Sequence, residues 1–252
     1  MFRFREKQRL LAPAPLTAKS VCPPHSLLRA SGENRACCIY CVRGLTHREK
    51  MDDKLQKPKL QKPELHESLI VGIGGSTRSG STSERALCFA LKAAEAAGTR
   101  TLMFGGAFLG RLPIYAPEMA ERSTEQREFI EAVRAADGII VATPGYHGGV
   151  SGMVKNALDL LEDLREDRRA YLEGRAVGCI VTAFGWQTCG TTLSALRSIV
   201  HALRGWPTPL GAALNTNEGI FDAAGNCTDT KSASQLSIVG HQVAEFAQRF
   251  SP

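Results

Sequence analysis

The chain has 252 residues, 43% of them hydrophobic and 22% charged, which fits one domain of roughly 150–200 residues with an appendage, or two small domains. Residues 1–50 hold 10 Lys and Arg against 3 Asp and Glu, whereas residues 51–252 hold 21 against 22, so the basic balance belongs to the N-terminal segment and argues for no nucleic-acid partner. No stretch approaches the ~18 consecutive apolar residues of a membrane span, which argues for no membrane partner.

Residues 1–65 mix Arg, Pro and Cys without sustained periodicity, and we read them as disordered or misassigned. Pro13, Pro15, Pro23 and Pro24 interrupt the apolar runs before a secretory core forms. Cys37, Cys38 and Cys41 with His47 resemble half a zinc site, yet a closed structural site needs four spaced ligands. An Arg-rich, acid-poor start also suits an organelle transit peptide. The preferred reading places the natural start at Met51 and makes residues 1–50 an upstream extension. The Lys/Pro-rich stretch 54–63 is then a solvated leader whose prolines block a helix. Cys88, Cys179, Cys189 and Cys227 are scattered singly through the remainder, a usage that suits reduced thiols in a cytoplasmic protein.

A folded domain is expected over residues 66–252. Residues 68–75, SLIVGIGG, are apolar, β-branched and end in glycines, which predicts a buried parallel strand. A helix follows over 84–97, stopped by Gly98. Strand 100–104 precedes a helix over 125–136, and strand 139–143 runs into a loop at 144–151. Next come a helix over 152–164, strand 176–182, a Gly-rich loop at 185–190, a helix over 191–203, an apolar run at 209–215 and a last helix over 232–250. Strands alternating with helices predict an α/β doubly wound five-stranded parallel sheet of order 2-1-3-4-5, with helices on both faces. Such a sheet binds its ligand at the carboxyl edge, where the loops after strands one, three and four converge.

Those three loops are the chemically unusual stretches. The first, 74–83, contains Ser76, Arg78, Ser81, Thr82 and Ser83 directly before a helix. Hydroxyls, mobile backbone N–H groups and a guanidinium at a helix N-terminus favour a dianion. The spacing matches neither the dinucleotide fingerprint nor the P-loop. A plain turn with Ser83 and Glu84 as an N-cap is the competing reading.

Together, GGSTRSGSTSERAL and TPGYHGGVSGMVKNALDLLE resemble the paired signature of the NADPH-dependent FMN reductase family: G-S-x-R-x-x-S, then P-x-Y-x-x-x-x-x-G-x-L-K-N-A-x-D with Val154 in place of Leu. The resemblance spans about residues 70–214. It implies a flavodoxin-like fold, FMN with its phosphate on the first loop and Arg78 paired to it, and NADPH (or NADH) as reductant. It also implies that the backbone at Pro144, Tyr146, His147, Gly148 and Gly149 lies against the polar edge of the flavin ring, with N–H donors from the last four. His147 stands where the family more commonly has Asn. Thr182 and Gly185 of the third loop complete the expected cofactor-binding set, and Phe184 or Trp186 is expected either to flank the flavin or to pack in the core or an interface. Lys155 and Asn156 are expected to fix the loop and a subunit contact, and Cys189 to be structural.

The implied activity is hydride transfer from nicotinamide C4 to flavin N5, with no protein acid or base, no catalytic residue and no metal. Reduced flavin then serves a flavin-dependent monooxygenase or a small acceptor such as a quinone, azo dye or metal oxyanion. A homodimer or homotetramer is implied as well. A non-enzymatic electron carrier is the alternative, although carriers use a Thr-rich phosphate loop without Arg and are strongly acidic. A scaffold without activity conflicts with three intact loops.

Overall fold

The computed structural model describes residues 67–250; the readings of residues 1–65, including a start at Met51, lie outside the described residues. In chain order the elements are β1 (Leu69–Gly74), α1 (Thr82–Ala96), β2 (Arg100–Phe104), the single turn α2 (Gly106–Leu109), α3 (Thr124–Ala135), β3 (Gly138–Tyr146) and β4 (Gly149–Val150). There follow α4 (Gly152–Asp159) with a 3-10 turn over Leu160–Leu164, β5 (Ala176–Ala183), α5 (Trp186–Ala202), β6 (Trp206–Pro207), β7 (Ala212–Asn215), a 3-10 turn at Thr216–Glu218 and α6 (Thr230–Phe250).

The parallel strands run β2-β1-β3-β5, with β6 beside the start of β5 and β7 beside its end. The order expected from the sequence therefore holds for the parallel core, with its fifth strand broken in two. The break has a local cause. Pro209 has no N–H to give the ladder, and the N–H of Leu210 turns instead to Gln242 Oε1 at 3.2 Å. The other departure is β4, which pairs antiparallel with the end of β3.

The sheet is buried on both faces because its strands alternate. Val71, Ile73, Ile139, Val141, Val177 and Val181 face α3, α4 and α5 across a core that includes Phe129, Leu158 and Leu196. Ile70, Ile140, Ala142, Ile180 and Leu214 face α1 and α6, with Leu87, Leu91, Leu236 and Val243. α1 and α6 also pack against each other. Gly240 permits their approach, since a Cβ there would lie 2.3 Å from the carbonyl oxygen of Ala90. The helix starts are set by side chains: Ser123 and Gln126 form a reciprocal capping box on α3, and Ser151 caps α4 through the N–H of Val154 at 3.3 Å.

Besides shifts of one or two residues, β3 runs on to Tyr146 rather than ending at 143, the turn α2 is unexpected, and two helix boundaries differ. The helix expected over 152–164 tightens into a 3-10 turn after Asp159. α5 begins at Trp186 rather than 191, because Gly185 (φ 100°, ψ 142°) reverses the chain in one residue.

Candidate active site at the carboxyl edge

β1 enters the first loop through Gly74 and Gly75, whose N–H bonds to Ala142 O at 3.2 Å. Ser81, rather than Ser83, caps α1, accepting the N–H of Glu84 at 3.3 Å. The hydroxyls of Ser81 and Ser83 lie 3.3 Å apart, and both residues are buried. Glu84 turns back to accept the N–H of Gly80 at 3.0 Å, closing the loop onto the helix. The N–H of Arg78 is held by Ser76 Oγ at 3.3 Å. The backbone N–H groups of Thr77, Ser79, Ser81, Thr82 and Ser83 have no acceptor among the described residues. The guanidinium of Arg78 likewise has no partner there. Five unsatisfied donors and one exposed cation at a helix N-terminus are groups that could hold an anion.

β3 ends in the second loop, which the structure folds as a hairpin. Gly145 pairs with Val150 and Tyr146 with Gly149. His147 (φ 53°) and Gly148 (φ 82°) form the two-residue turn, and positive φ at both positions is the signature of a type I′ turn. Thr143 braces the base, its Oγ1 donating to Pro144 O at 3.0 Å and accepting the N–H of Ser151 at 3.1 Å. Gly145 is needed for close packing, because a Cβ there would lie 2.8 Å from Thr192 Oγ1 and 3.0 Å from the Ala183 methyl.

The third segment follows β5. Thr182 is buried, whereas Phe184 is 79% exposed. The Gly185 N–H bonds to Asn215 Oδ1 at 3.0 Å, which ties the start of α5 to the end of β7. Cys189 is buried, its Sγ 3.3 Å from Leu214 O and 3.7 Å from Ala183 O. Burial pushes its thiol up, so it is a packed thiol rather than a nucleophile.

These segments enclose one cavity of about 590 Å³, lined by Ser76, Thr77, Arg78, Ser81, Thr82, Ser83, Pro144, Gly145, Tyr146, Thr182, Ala183, Phe184 and Thr216. Eight of the expected residues meet there: Ser76, Arg78, Ser81, Thr82, Ser83, Pro144, Tyr146 and Thr182. His147, Gly148, Gly149 and Gly185 do not line it; they make the turns that shape its wall. Trp186 lines a separate cavity of about 400 Å³ with Glu218, Asp229 and Gln235. Of the liners beyond the expected set, Thr77, Gly145 and Phe184 stood inside stretches already singled out. Thr216 carried no local signal, because only the pairing of β7 with β5 brings it to this edge.

Asn156 points elsewhere. Its Oδ1 accepts the Tyr115 N–H at 2.8 Å and its Nδ2 donates to Pro113 O at 3.1 Å, so it fixes the segment after α2. Lys155 pairs with Asp159 one turn on, at 2.6 Å.

The cavity has a polar end, built from unsatisfied N–H groups, hydroxyls and Arg78. Its other end is flanked by the exposed rings of Tyr146 and Phe184 and by backbone of β3. Among its liners only Arg78 and Tyr146 are ionisable. It is therefore suited to a planar ring that carries a phosphate, and poorly equipped for acid–base chemistry of its own.

Residues 68–218 match the family profile of the NADPH-dependent FMN reductases. An FMN-dependent NADPH-azoreductase of Staphylococcus haemolyticus is 35% identical over 102 residues, 40% of this chain and 50% of that protein. The namesake of Staphylococcus aureus is 34% identical over the same shares. The chain thus spans about half the length of these curated relatives. Among solved structures, the flavoenzyme NAD(P)H:(acceptor) oxidoreductase FerB of Paracoccus denitrificans superposes with a TM-score of 0.61 at 19% identity, covering 73% of this chain and 98% of the other. An NADH:FMN oxidoreductase in its apo form gives 0.53 at 21% identity, covering 73% and 90%. At these identities the structures support the flavodoxin-like fold, which the flavodoxin-like protein of Agrobacterium tumefaciens shares (TM-score 0.51, 19% identity, 73% and 99% covered).

Proposed function

The chain belongs to the NADPH-dependent FMN reductase family, and from that membership we propose that it is an NAD(P)H-dependent flavin oxidoreductase with FMN in the carboxyl-edge cavity. The observation that carries the reading is the joining, in one cavity, of the donor-rich first loop to the β3–β4 hairpin and two exposed aromatic rings. The residues fit the cofactor. The N–H groups at the start of α1, the hydroxyls of Ser76 and Thr82, and Arg78 would hold the phosphate dianion. Thr82 and Ser83 sit at the positive end of the α1 dipole, so the phosphate gains there without a buried counter-ion. Backbone of Pro144, Gly145 and Tyr146 would meet the polar edge of the ring, and the hairpin turn at His147, Gly148 and Gly149 would hold that backbone still. Tyr146 and Phe184 would flank the ring and exclude water from its face.

Bound flavin would supply the redox chemistry, accepting hydride at N5 from C4 of NADPH or NADH. The protein's part is position: Arg78 and the loop fix one end of the ring, and the hairpin fixes the other.

We read the electron acceptor as a small planar molecule. The exposed faces of Tyr146 and Phe184 support this, as does the naming of the staphylococcal relatives as azoreductases. Delivery of reduced flavin to a monooxygenase is the second reading; it is favoured by the openness of the phosphate loop, where Thr77, Arg78 and Ser79 are all exposed. A cytoplasmic location and self-assembly as a dimer or tetramer belong to the same proposal. Ile114 and Met119, 79% and 58% exposed, are available for subunit contact. Among the described residues no helix is long and apolar enough to cross a membrane.

The test is NADPH and NADH oxidation followed by absorbance, with and without FMN and with an azo dye or quinone. FMN-dependent turnover with at least one nicotinamide is expected. Absence of turnover with both, while FMN binds, would leave the non-enzymatic carrier as the better account.

A further inference from the structure

The amino edge of the sheet, opposite the flavin cavity, carries an arginine cluster. α3 ends just before β3, and Arg175 immediately precedes β5. Arg134, Arg168, Arg169 and Arg175 line a cavity of about 370 Å³ there, together with Asp167.

Arg175 is 1% exposed. Its Nε donates to Ala136 O at 2.8 Å, Nη1 to Tyr171 O at 3.0 Å and Nη2 to Arg134 O at 2.8 Å. A guanidinium has five N–H donors, so two remain without an acceptor among the described residues; Asp137 and Asp167 attract it, but neither forms a close ion pair with it. Arg169 is held in the same manner, by the carbonyls of Glu173 at 3.4 Å and Gly174 at 3.3 Å, with Asp137 4.0 Å away. Arg168 is exposed and has no partner among the described residues. Arg134 alone is well neutralised, by Asp167 at 2.7 Å and by Glu131. Burial, then the repulsion of Arg169, brings Arg175 down to about 10. Burial also lowers Arg169, against the opposing pull of Asp137.

Capping the carbonyls at the end of α3 accounts for Arg175 alone. It does not account for Arg169, brought to the same cavity with two carbonyl partners and Asp137 only 4.0 Å away, nor for Arg168, exposed there without a partner among the described residues. Three forks with spare donors around one space match the several oxygens of a phosphate better than a single carboxylate.

We propose that this amino-edge cavity binds a phosphate-class dianion, either free phosphate or pyrophosphate or the terminal phosphate of a nucleotide, at a site separate from the flavin phosphate. The anion bridges Arg168 and Arg169 at the mouth and reaches the spare donors of Arg175. The site does not depend on the flavin reading, because no residue is shared between the two cavities.

Titration calorimetry of the full chain at constant ionic strength, with inorganic phosphate, pyrophosphate and ADP as probes, tests this. Saturable binding of at least one probe is expected, retained in Arg78→Ala and weakened tenfold or more in Arg168→Gln/Arg169→Gln. Should the double variant unfold, Arg168→Gln at an exposed position is expected to weaken the same probe at least threefold with an unchanged melting temperature. Tightest binding by ADP assigns a nucleotide phosphate, and tightest binding by phosphate or pyrophosphate assigns the free anion. Binding lost in Arg78→Ala but retained in the arginine variants overturns the proposal. So does heat that vanishes once ionic strength is matched.

Discussion

His147 and Gly148 both adopt positive φ, at 53° and 82°, and that geometry explains why a histidine can stand at this position. A type I′ turn needs two such positions, and Asn, Asp and His tolerate the first better than other side chains. The His at this position, where the resembling family more commonly has Asn, is therefore a backbone requirement met in a second way. His147→Asn is expected to keep or slightly raise stability. His147→Val forces a β-branched residue into the left-handed region, at about 1–2 kcal/mol, and loosens the wall of the cavity. Melting temperatures of the two variants, with and without FMN, check this; equal stability of His147→Val and the parent would contradict it. The same reasoning shows why Gly185 and Gly148, both at positive φ, were found by pattern yet do not line the carboxyl-edge cavity. They shape turns, and a motif does not distinguish a residue that touches a ligand from one that aims its neighbours.

At the scale of elements, periodicity revealed most of the architecture. β2 was legible to the residue, and β1, α1, α3 and α6 nearly so, because apolar spacing and Ser or Gly boundaries mark their ends. What escaped has two causes, weak local patterns and contacts distant in sequence. The hairpin of β3 and β4 read as a loop because its arms pair over only two residues each. The first turns of α5 read as a Gly-rich loop because Gly185 and Gly190 mask the helical spacing. The break between β6 and β7 needs Gln242 of α6 to divert a single N–H. Thr216 reaches the cavity through the parallel register of β7 alone. The seam between α1 and α6 makes a prediction at this scale. A Cβ at Gly240 would meet the Ala90 carbonyl at 2.3 Å, so Gly240→Ala is expected to destabilise the domain by about 1–3 kcal/mol, the usual range for overpacking. Urea unfolding reads this as a lower midpoint with an unchanged slope. An unchanged midpoint would mean that the helices are free to separate.

The whole molecule divides its charge and its chemistry between the two edges of one sheet. The carboxyl edge collects the loops proposed to bind flavin, as a doubly wound sheet dictates once the strand order is set. The amino edge carries the cluster of Arg134, Arg168, Arg169 and Arg175. Between them lie two apolar layers with Cys179 buried in one, its thiol pushed up to about 12 by desolvation. Binding of FMN at the first edge stabilises the folded chain by mass action, by about 2.7 kcal/mol at a hundredfold excess over Kd.

The central claim is that the loop of residues 74–83 holds the phosphate of FMN through Arg78 and the start of α1. The most direct measurement is a fluorescence titration of the parent and of Arg78→Ala with FMN and, separately, with riboflavin, which has the same ring and no phosphate. Loss of one charge-assisted contact of about 1.5–3 kcal/mol should weaken FMN about 10- to 100-fold and leave riboflavin binding unchanged. Equal FMN affinity in the two proteins, or equal weakening of FMN and riboflavin, would contradict the account.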